Sequence, residues 1–254
     1  MVCAETVWHR VCGNYELPAD EVHVWRATLD QPQEVMARFL QVLSADENAR
    51  AGKFHFEADR KRHIIGRGMS RLLLGHCLGT AAHQLKFTHN EFGKPSLSGG
   101  FVPRFNISHS GELVLVALAR GRTIGVDVER MRKDMAQAEI AERFFSSREC
   151  DALAGLAPEM QCEAFFACWT RKEAYLKARG DGLSLPLDQF DVAFMPGEVP
   201  RLIETRHDPA EAQRWAIRAL NPGYGCMAAV AGEGSDWTVR CWEWSRDAAD
   251  ALQG

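Results

Sequence analysis

Apolar and polar residues alternate most cleanly over residues 123–129, where Ile124, Val126 and Val128 interleave with Gly125, Asp127 and Glu129. That period of two predicts a strand with one apolar face and both carboxylates on the other. A longer period governs residues 59–78: Ile64, Ile65, Met69, Leu72, Leu73 and Leu78 fall on one helical face, with Arg60, Lys61, Arg62, Arg67 and Arg71 around it. Asp59 is the expected N-cap of this helix and Gly79 its stop. Further helices are expected over 32–43, 45–54 and 136–145. Ser146 and Glu149 form a capping box opening a helix that runs to about residue 156. Another helix contains Trp169 and Lys177 and is closed by Gly180 and Gly182. Strands are expected over 21–29, 85–88, 104–108, 113–119, 189–194, 214–220, 225–231 and 238–244. The three residues Arg120, Gly121 and Arg122 between 113–119 and 123–129 have the spacing of a hairpin.

In each half of the chain a basic or aromatic helix precedes a run of short strands. This order suggests an α+β fold of two similar lobes, 1–125 and 126–254, each a small, mostly antiparallel sheet packed with helices. At 254 residues the chain can bury a substantial core, and 46% hydrophobic with 25% charged residues is an ordinary globular balance. Residues 113–119 form the best apolar run, far too short to span a bilayer, and the N-terminus lacks a signal pattern; no membrane association and a cytoplasmic location are expected. The eight cysteines contain no Cys-x-x-Cys pair and read as reduced thiols. A formal charge of −4 argues against a broad nucleic-acid footprint, leaving local basic clusters to bind anions.

Helical spacing places Glu173 one turn after Trp169 and one turn before Lys177, so a carboxylate and an ammonium share a face. Asp127, Glu129 and Glu173, without paired His or Cys ligands, suit a hard cation such as Mg²⁺, whose shell is usually completed by water and substrate phosphate. Taken separately, Asp127 and Glu129 also fit the wet face of an edge strand, and Lys172, Glu173 and Lys177 fit a solvated helix face. The basic helix 60–71 suits phosphates or an acidic protein as well as plain solvent. Ser108 and His109 with Asp127 do not make a hydrolase triad, because neighbours on a strand point to opposite faces. Trp242 and Trp244 alternate within a strand and read as packing residues, as do Phe165 and Phe166.

Six segments occur in order: Phe92-Gly93-Lys94-Pro95, Phe105 to Gly111 with Asn106, Ser108 and His109, Gly125 to Glu129, Arg143 to Ser146, Trp169 to Lys177, and Gly182 to Leu187. Together they resemble the 4′-phosphopantetheinyl transferase superfamily, in particular its Sfp-like type, over about residues 92–187. The resemblance implies a pseudo-dimer with the active site in the cleft between its lobes. It also implies transfer of the phosphopantetheine of coenzyme A to a serine of apo acyl or peptidyl carrier proteins in fatty-acid, polyketide or nonribosomal-peptide synthesis, by a monomeric enzyme. By resemblance, Asp127, Glu129 and Glu173 hold Mg²⁺ or Mn²⁺, Glu173 or a metal-bound water is the general base, and Lys177 neutralises phosphate oxygens. Lys94, Asn106, Ser108 and His109 would contact coenzyme A, with Arg62 and His63 in the stretch where relatives place further contacts. A metal-dependent hydrolase of coenzyme A or another pyrophosphate, and a non-catalytic coenzyme A or carrier-binding module, are the alternatives.

Overall fold

The computed structural model describes residues 6–11, 15–97, 103–135, 137–180 and 182–252; Cys3, Cys12 and Ala136 lie outside them. In chain order the first elements are Trp8–His9 (β1), Glu21–Thr28 (β2), Gln33–Val42 (α1), Ala45–Ala51 (α2), Glu57–Leu78 (α3), Phe87–His89 (β3), Pro95–Leu97 (β4), Arg104–Ser110 (β5) and Leu113–Ala119 (β6). Then come Ile124–Arg130 (β7), Gln137–Phe144 (α4), Ser147–Ala154 (α5), Pro158–Arg179 (α6), Phe190–Val192 (β8), Leu202–Thr205 (β9), Glu211–Arg214 (α7), Trp215–Leu220 (β10) and Cys226–Glu233 (β11). Thr238–Glu243 (β12) and Arg246–Ala251 (α8) close the chain. The fold is α+β with mostly antiparallel sheets, as expected.

Two compact units are present. One comprises Val7–Asn90, Pro95–Gly121 and Trp237–Gly254; the other is built mainly from Arg122–Asp236, with Glu91–Lys94. The tail therefore belongs with the N-terminal half, because β12 pairs in parallel with β2.

In the unit containing the N-terminal half, a five-stranded sheet runs in the order β1-β12-β2-β6-β5. Trp25, Val114, Val116 and Leu118 face a core completed by Val35 and Phe39 of α1 and by Ile64, Ile65, Met69 and Leu73 of α3. Trp242 stacks on Trp25 at 5.6 Å between ring centroids, and Trp244 meets Phe39 at 5.3 Å, so these tryptophans are packing residues. Phe56 rather than Asp59 precedes the first turn of α3. Asp59 lies within that turn and pairs with Arg62 at 2.6 Å, which uses its carboxylate along the helix instead of at its end. Gly79 stops the helix in the left-handed conformation at φ 59°, as expected.

The hairpin expected across residues 120–122 does not form. β6 is flanked by β2 and β5, so both of its edges are occupied, and β7 instead pairs antiparallel with β11 in a three-stranded sheet β10-β11-β7. In this second unit α6 starts with Pro158 in its first turn, where a missing N–H costs nothing, and ends at Gly180 with φ 83°. Phe165, Phe166, Cys168, Tyr175 and Leu176 from α6 join Ile217, Ala229 and Ala231 from the sheet in one core. The Ser146–Glu149 capping box opens α5 reciprocally, as its sequence spacing requires.

Candidate active site

The site begins with the polar face of β7. Gly125 lies directly under α6: a Cβ placed there would stand 2.2 Å from the backbone N of Ala178 and 2.3 Å from the carbonyl oxygen of Ala174. Only a residue without a side chain permits this approach. Asp127, two residues along on the same face, is thereby carried beneath the last turns of α6, where Lys177 Nζ donates to its Oδ1 at 2.6 Å. Asp127 is buried, whereas the Lys177 side chain keeps 30% of its exposure. An ammonium that reaches both a buried carboxylate and solvent can turn toward an anion entering from outside.

Glu173 lies one turn earlier on α6. Burial first, and then the charge of Asp127, push its carboxyl up to about 6; Lys177 opposes the shift and Glu129 adds to it. Asp127, Glu129 and Lys177 therefore all act electrostatically on Glu173. The formal charges of the four sum to −2 in a largely desolvated place, an excess that a divalent cation offsets. Among the described residues no group of three or more His, Cys, Asp or Glu side chains is a ready-made metal cluster. The donor chemistry fits a hard cation, while Lys177 occupies one oxygen of Asp127.

Lys94 binds the two elements of this site together, its Nζ donating to Ile124 O at 3.2 Å and Ala178 O at 2.9 Å. The remaining sequence candidates lie in the other unit. On β5, Asn106 and Ser108 are buried and His109 is exposed, so the adjacent Ser and His diverge. Arg62 donates through Nε and Nη2 to Gly111 O at 3.1 and 2.8 Å, tying α3 to the β5–β6 turn. His63 Nε2 lies 3.0 Å from Glu47 O, and burial pushes its pKa down, favouring the neutral ring.

One pair was not expected. Lys172, beside Glu173 in sequence, is fully buried rather than on a solvated face: its Nζ contacts Glu149 Oε2 at 2.7 Å and donates to Leu187 O at 2.8 Å and to Phe190 O. Glu149 also accepts from Val192 N at 3.0 Å. This pair anchors the face of α6 adjoining Glu173 to α5 and β8. The signal was available in sequence, because Lys172 falls at helical spacing between the buried Cys168 and Tyr175.

Residues 123–229 match the 4′-phosphopantetheinyl transferase superfamily, and residues 12–120 match the 4′-phosphopantetheinyl transferase N-terminal family. The chain is 40% identical to the 4′-phosphopantetheinyl transferase HetI of Nostoc sp. over 234 residues, covering 91% of this chain and 95% of HetI. It is 31% identical to the 4′-phosphopantetheinyl transferase Sfp of Bacillus subtilis over 199 residues, covering 77% of this chain and 86% of Sfp. With likeness extending over nearly the whole of HetI, the chain belongs to the 4′-phosphopantetheinyl transferase superfamily, on its Sfp-like branch.

Proposed function

We propose that this enzyme transfers the 4′-phosphopantetheine group of coenzyme A to a serine hydroxyl of apo acyl or peptidyl carrier proteins, releasing holo-carrier protein and 3′,5′-ADP. The observation that carries the reading is the group Asp127, Glu129, Glu173 and Lys177 on α6 and β7, in a chain of this family. In the reaction the serine oxygen forms a bond to the β-phosphorus of coenzyme A. The bond from that phosphorus to the bridging oxygen breaks, and the bridging oxygen leaves with 3′,5′-ADP.

A carboxylate Oε of Glu173 receives the serine proton, a role supported by its place one helical turn before Lys177 and beside Asp127. Asp127, Glu129 and Glu173 would hold Mg²⁺ or Mn²⁺, which when bound supplies charge neutralisation to the pyrophosphate. Lys177 turns from Asp127 to a phosphate oxygen. Lys94, Asn106, Ser108 and His109, with Arg62 and His63, are the proposed coenzyme A contacts. Lys94, Arg62 and His63 already engage backbone carbonyls, so phosphate contact there adds to, or exchanges with, those bonds. A monomer working in the cytoplasm on carriers of fatty-acid, polyketide or nonribosomal-peptide synthesis completes the proposal; no described helix is long and apolar enough to cross a membrane.

The test is the intact mass of a panel of apo acyl and peptidyl carrier proteins after incubation with enzyme, coenzyme A and Mg²⁺. A phosphopantetheine-sized gain, lost with EDTA and with Glu173→Gln, is expected. No gain on any carrier would overturn the reading, and release of phosphopantetheine without a carrier would replace it with hydrolysis.

A further inference from the structure

The last turns of α6 present two faces. Glu173 and Lys177, one turn apart, lie toward β7, where Lys177 meets Asp127. Tyr175 and Arg179, also one turn apart, each stand two residues further on, about 200° around the helix axis. Both reach one carboxylate. Glu211 Oε2 accepts from Tyr175 Oη at 3.0 Å and from Arg179 Nη1 at 3.1 Å, and also from Trp215 Nε1 at 3.0 Å. Its Oε1 accepts from Arg214 Nη1 at 3.1 Å. Glu211 opens the short helix α7 and is 7% exposed, and Trp215 starts β10. Three elements therefore converge on a single buried carboxylate.

Such a hub adds little stability. Desolvating the carboxylate offsets most of what its hydrogen bonds contribute, and apolar residues of the same volume would hold the elements together about as well. What the directed donors add is orientation. Ring packing of Tyr175 edge-on to Phe190 at 4.9 Å and to Trp215 at 5.7 Å tolerates a small rotation or slide of the helix. Two donors one turn apart on the same oxygen do not, since either movement lengthens at least one bond. The turns held in this way carry Glu173 and Lys177 on their other side.

We infer that Glu211 is a positioning residue for phosphopantetheine transfer, holding α6 through Tyr175 and Arg179 so that Glu173 and Lys177 stand in place against Asp127. The inference rests on the transfer reading and adds to it what orients the two α6 residues.

The test uses Glu211→Leu, which removes the hub, and Tyr175→Phe/Arg179→Met, which removes both α6 donors and leaves the carboxylate to Trp215 and Arg214. Two controls separate positioning from stability. Arg214→Gln removes a donor that does not lie on α6, and Leu153→Ala opens the same buried core from α5. Transfer kinetics on an apo carrier protein are read beside unfolding midpoints and hydrogen exchange of amides 173–179, at a temperature where each protein assayed is folded. Both hub variants are expected to lower kcat roughly tenfold, as a misplaced reacting group does, with the carrier KM within about twofold of wild type. Exchange at 173–179 should be faster in both. Arg214→Gln should keep wild-type kcat, and Leu153→Ala should lower the midpoint without lowering kcat. Wild-type kcat in either hub variant, or a fall of kcat in either control as large as in the hub variants, would overturn the positioning role. Where Glu211→Leu does not fold, the double variant decides. Absence of transfer by the wild type would overturn the transfer reading instead; unchanged exchange at 173–179 would then overturn the hold of Glu211 on α6, and faster exchange would sustain it.

Discussion

Lys177 donates a 2.6 Å charge-assisted hydrogen bond to Asp127, joining the last turns of α6 to the middle of β7. The relationship is asymmetric, since Asp127 is buried and Lys177 is partly open to solvent. Asp127→Asn keeps the shape and removes the charge, freeing Lys177 to take up water at a cost of about 1–2 kcal/mol of stability. Transfer to an apo carrier protein should fall at least ~100-fold, the size of effect expected when preorganised charge is lost at the reacting phosphate. Intact-mass kinetics beside urea unfolding check both parts, and unaltered turnover would remove Asp127 from the site.

The approach of α6 to Gly125 makes that residue sensitive to any added side chain. In Gly125→Ala the methyl group meets backbone atoms of Ala174, Lys177 and Ala178, within 2.6 Å in each case, and none of them is the end of a flexible side chain. The helix must lift, at a cost of about 3 kcal/mol, and Glu173 and Lys177 move with it. Both the unfolding midpoint and kcat should drop. A variant with native stability and full activity would show that the seam can be separated without consequence.

How much of this was legible in sequence differs with the range of the interaction. The alternation of Gly125, Asp127 and Glu129 with Ile124, Val126 and Val128 is local, and so is the placing of Glu173 and Lys177 on one helical face. Both patterns led to the residues that the structure brings together. The hairpin across residues 120–122 was misread because turn length reports a permitted pairing, whereas β6 has both edges taken by β2 and β5. The parallel pairing of β12 with β2 joins residues more than 200 positions apart and leaves no local trace. For Lys172 the solvated-face alternative fails, because its burial depends on distant partners at residues 149, 187 and 190. The resemblance implies that Lys94 contacts coenzyme A, while its bonds to the Ile124 and Ala178 carbonyls join distant segments and cannot be read from a Gly-Lys-Pro motif.

Lys172 and Glu149 yield a prediction in which one change is worse than two. Removing either partner, as in Lys172→Met or Glu149→Leu, leaves the other charge buried and should cost about 3–5 kcal/mol. The double variant replaces the pair with apolar volume and should regain most of that loss, although the carbonyls of Leu187 and Phe190 and the amide of Val192 lose a partner. A double-mutant cycle on unfolding free energy measures the coupling. Strict additivity of the two losses would mean that the pair does not hold α6 against α5.

Glu173 links the site to pH with a definite sign. Its folded-state pKa is raised from 4.5 to about 6, chiefly by burial and then by Asp127, so the native state holds the proton more tightly than the unfolded chain. The stability this contributes is fully present below pH 4.5 and is lost as pH rises through about 6, a difference of about 2 kcal/mol. Glu173→Gln has no such charge to bury. In EDTA it should therefore be more stable than the wild type above pH 6 by up to about that amount, the gap closing as pH falls toward 4.5. Mg²⁺ reverses the comparison, because a cation among Asp127, Glu129 and Glu173 favours the ionised carboxylate. At pH 7.5 it should raise the unfolding midpoint of the wild type more than that of Glu173→Gln. Equal Mg²⁺ stabilisation of the two proteins would remove Glu173 from the proposed ligand set while leaving its role as proton acceptor open to the kinetic test.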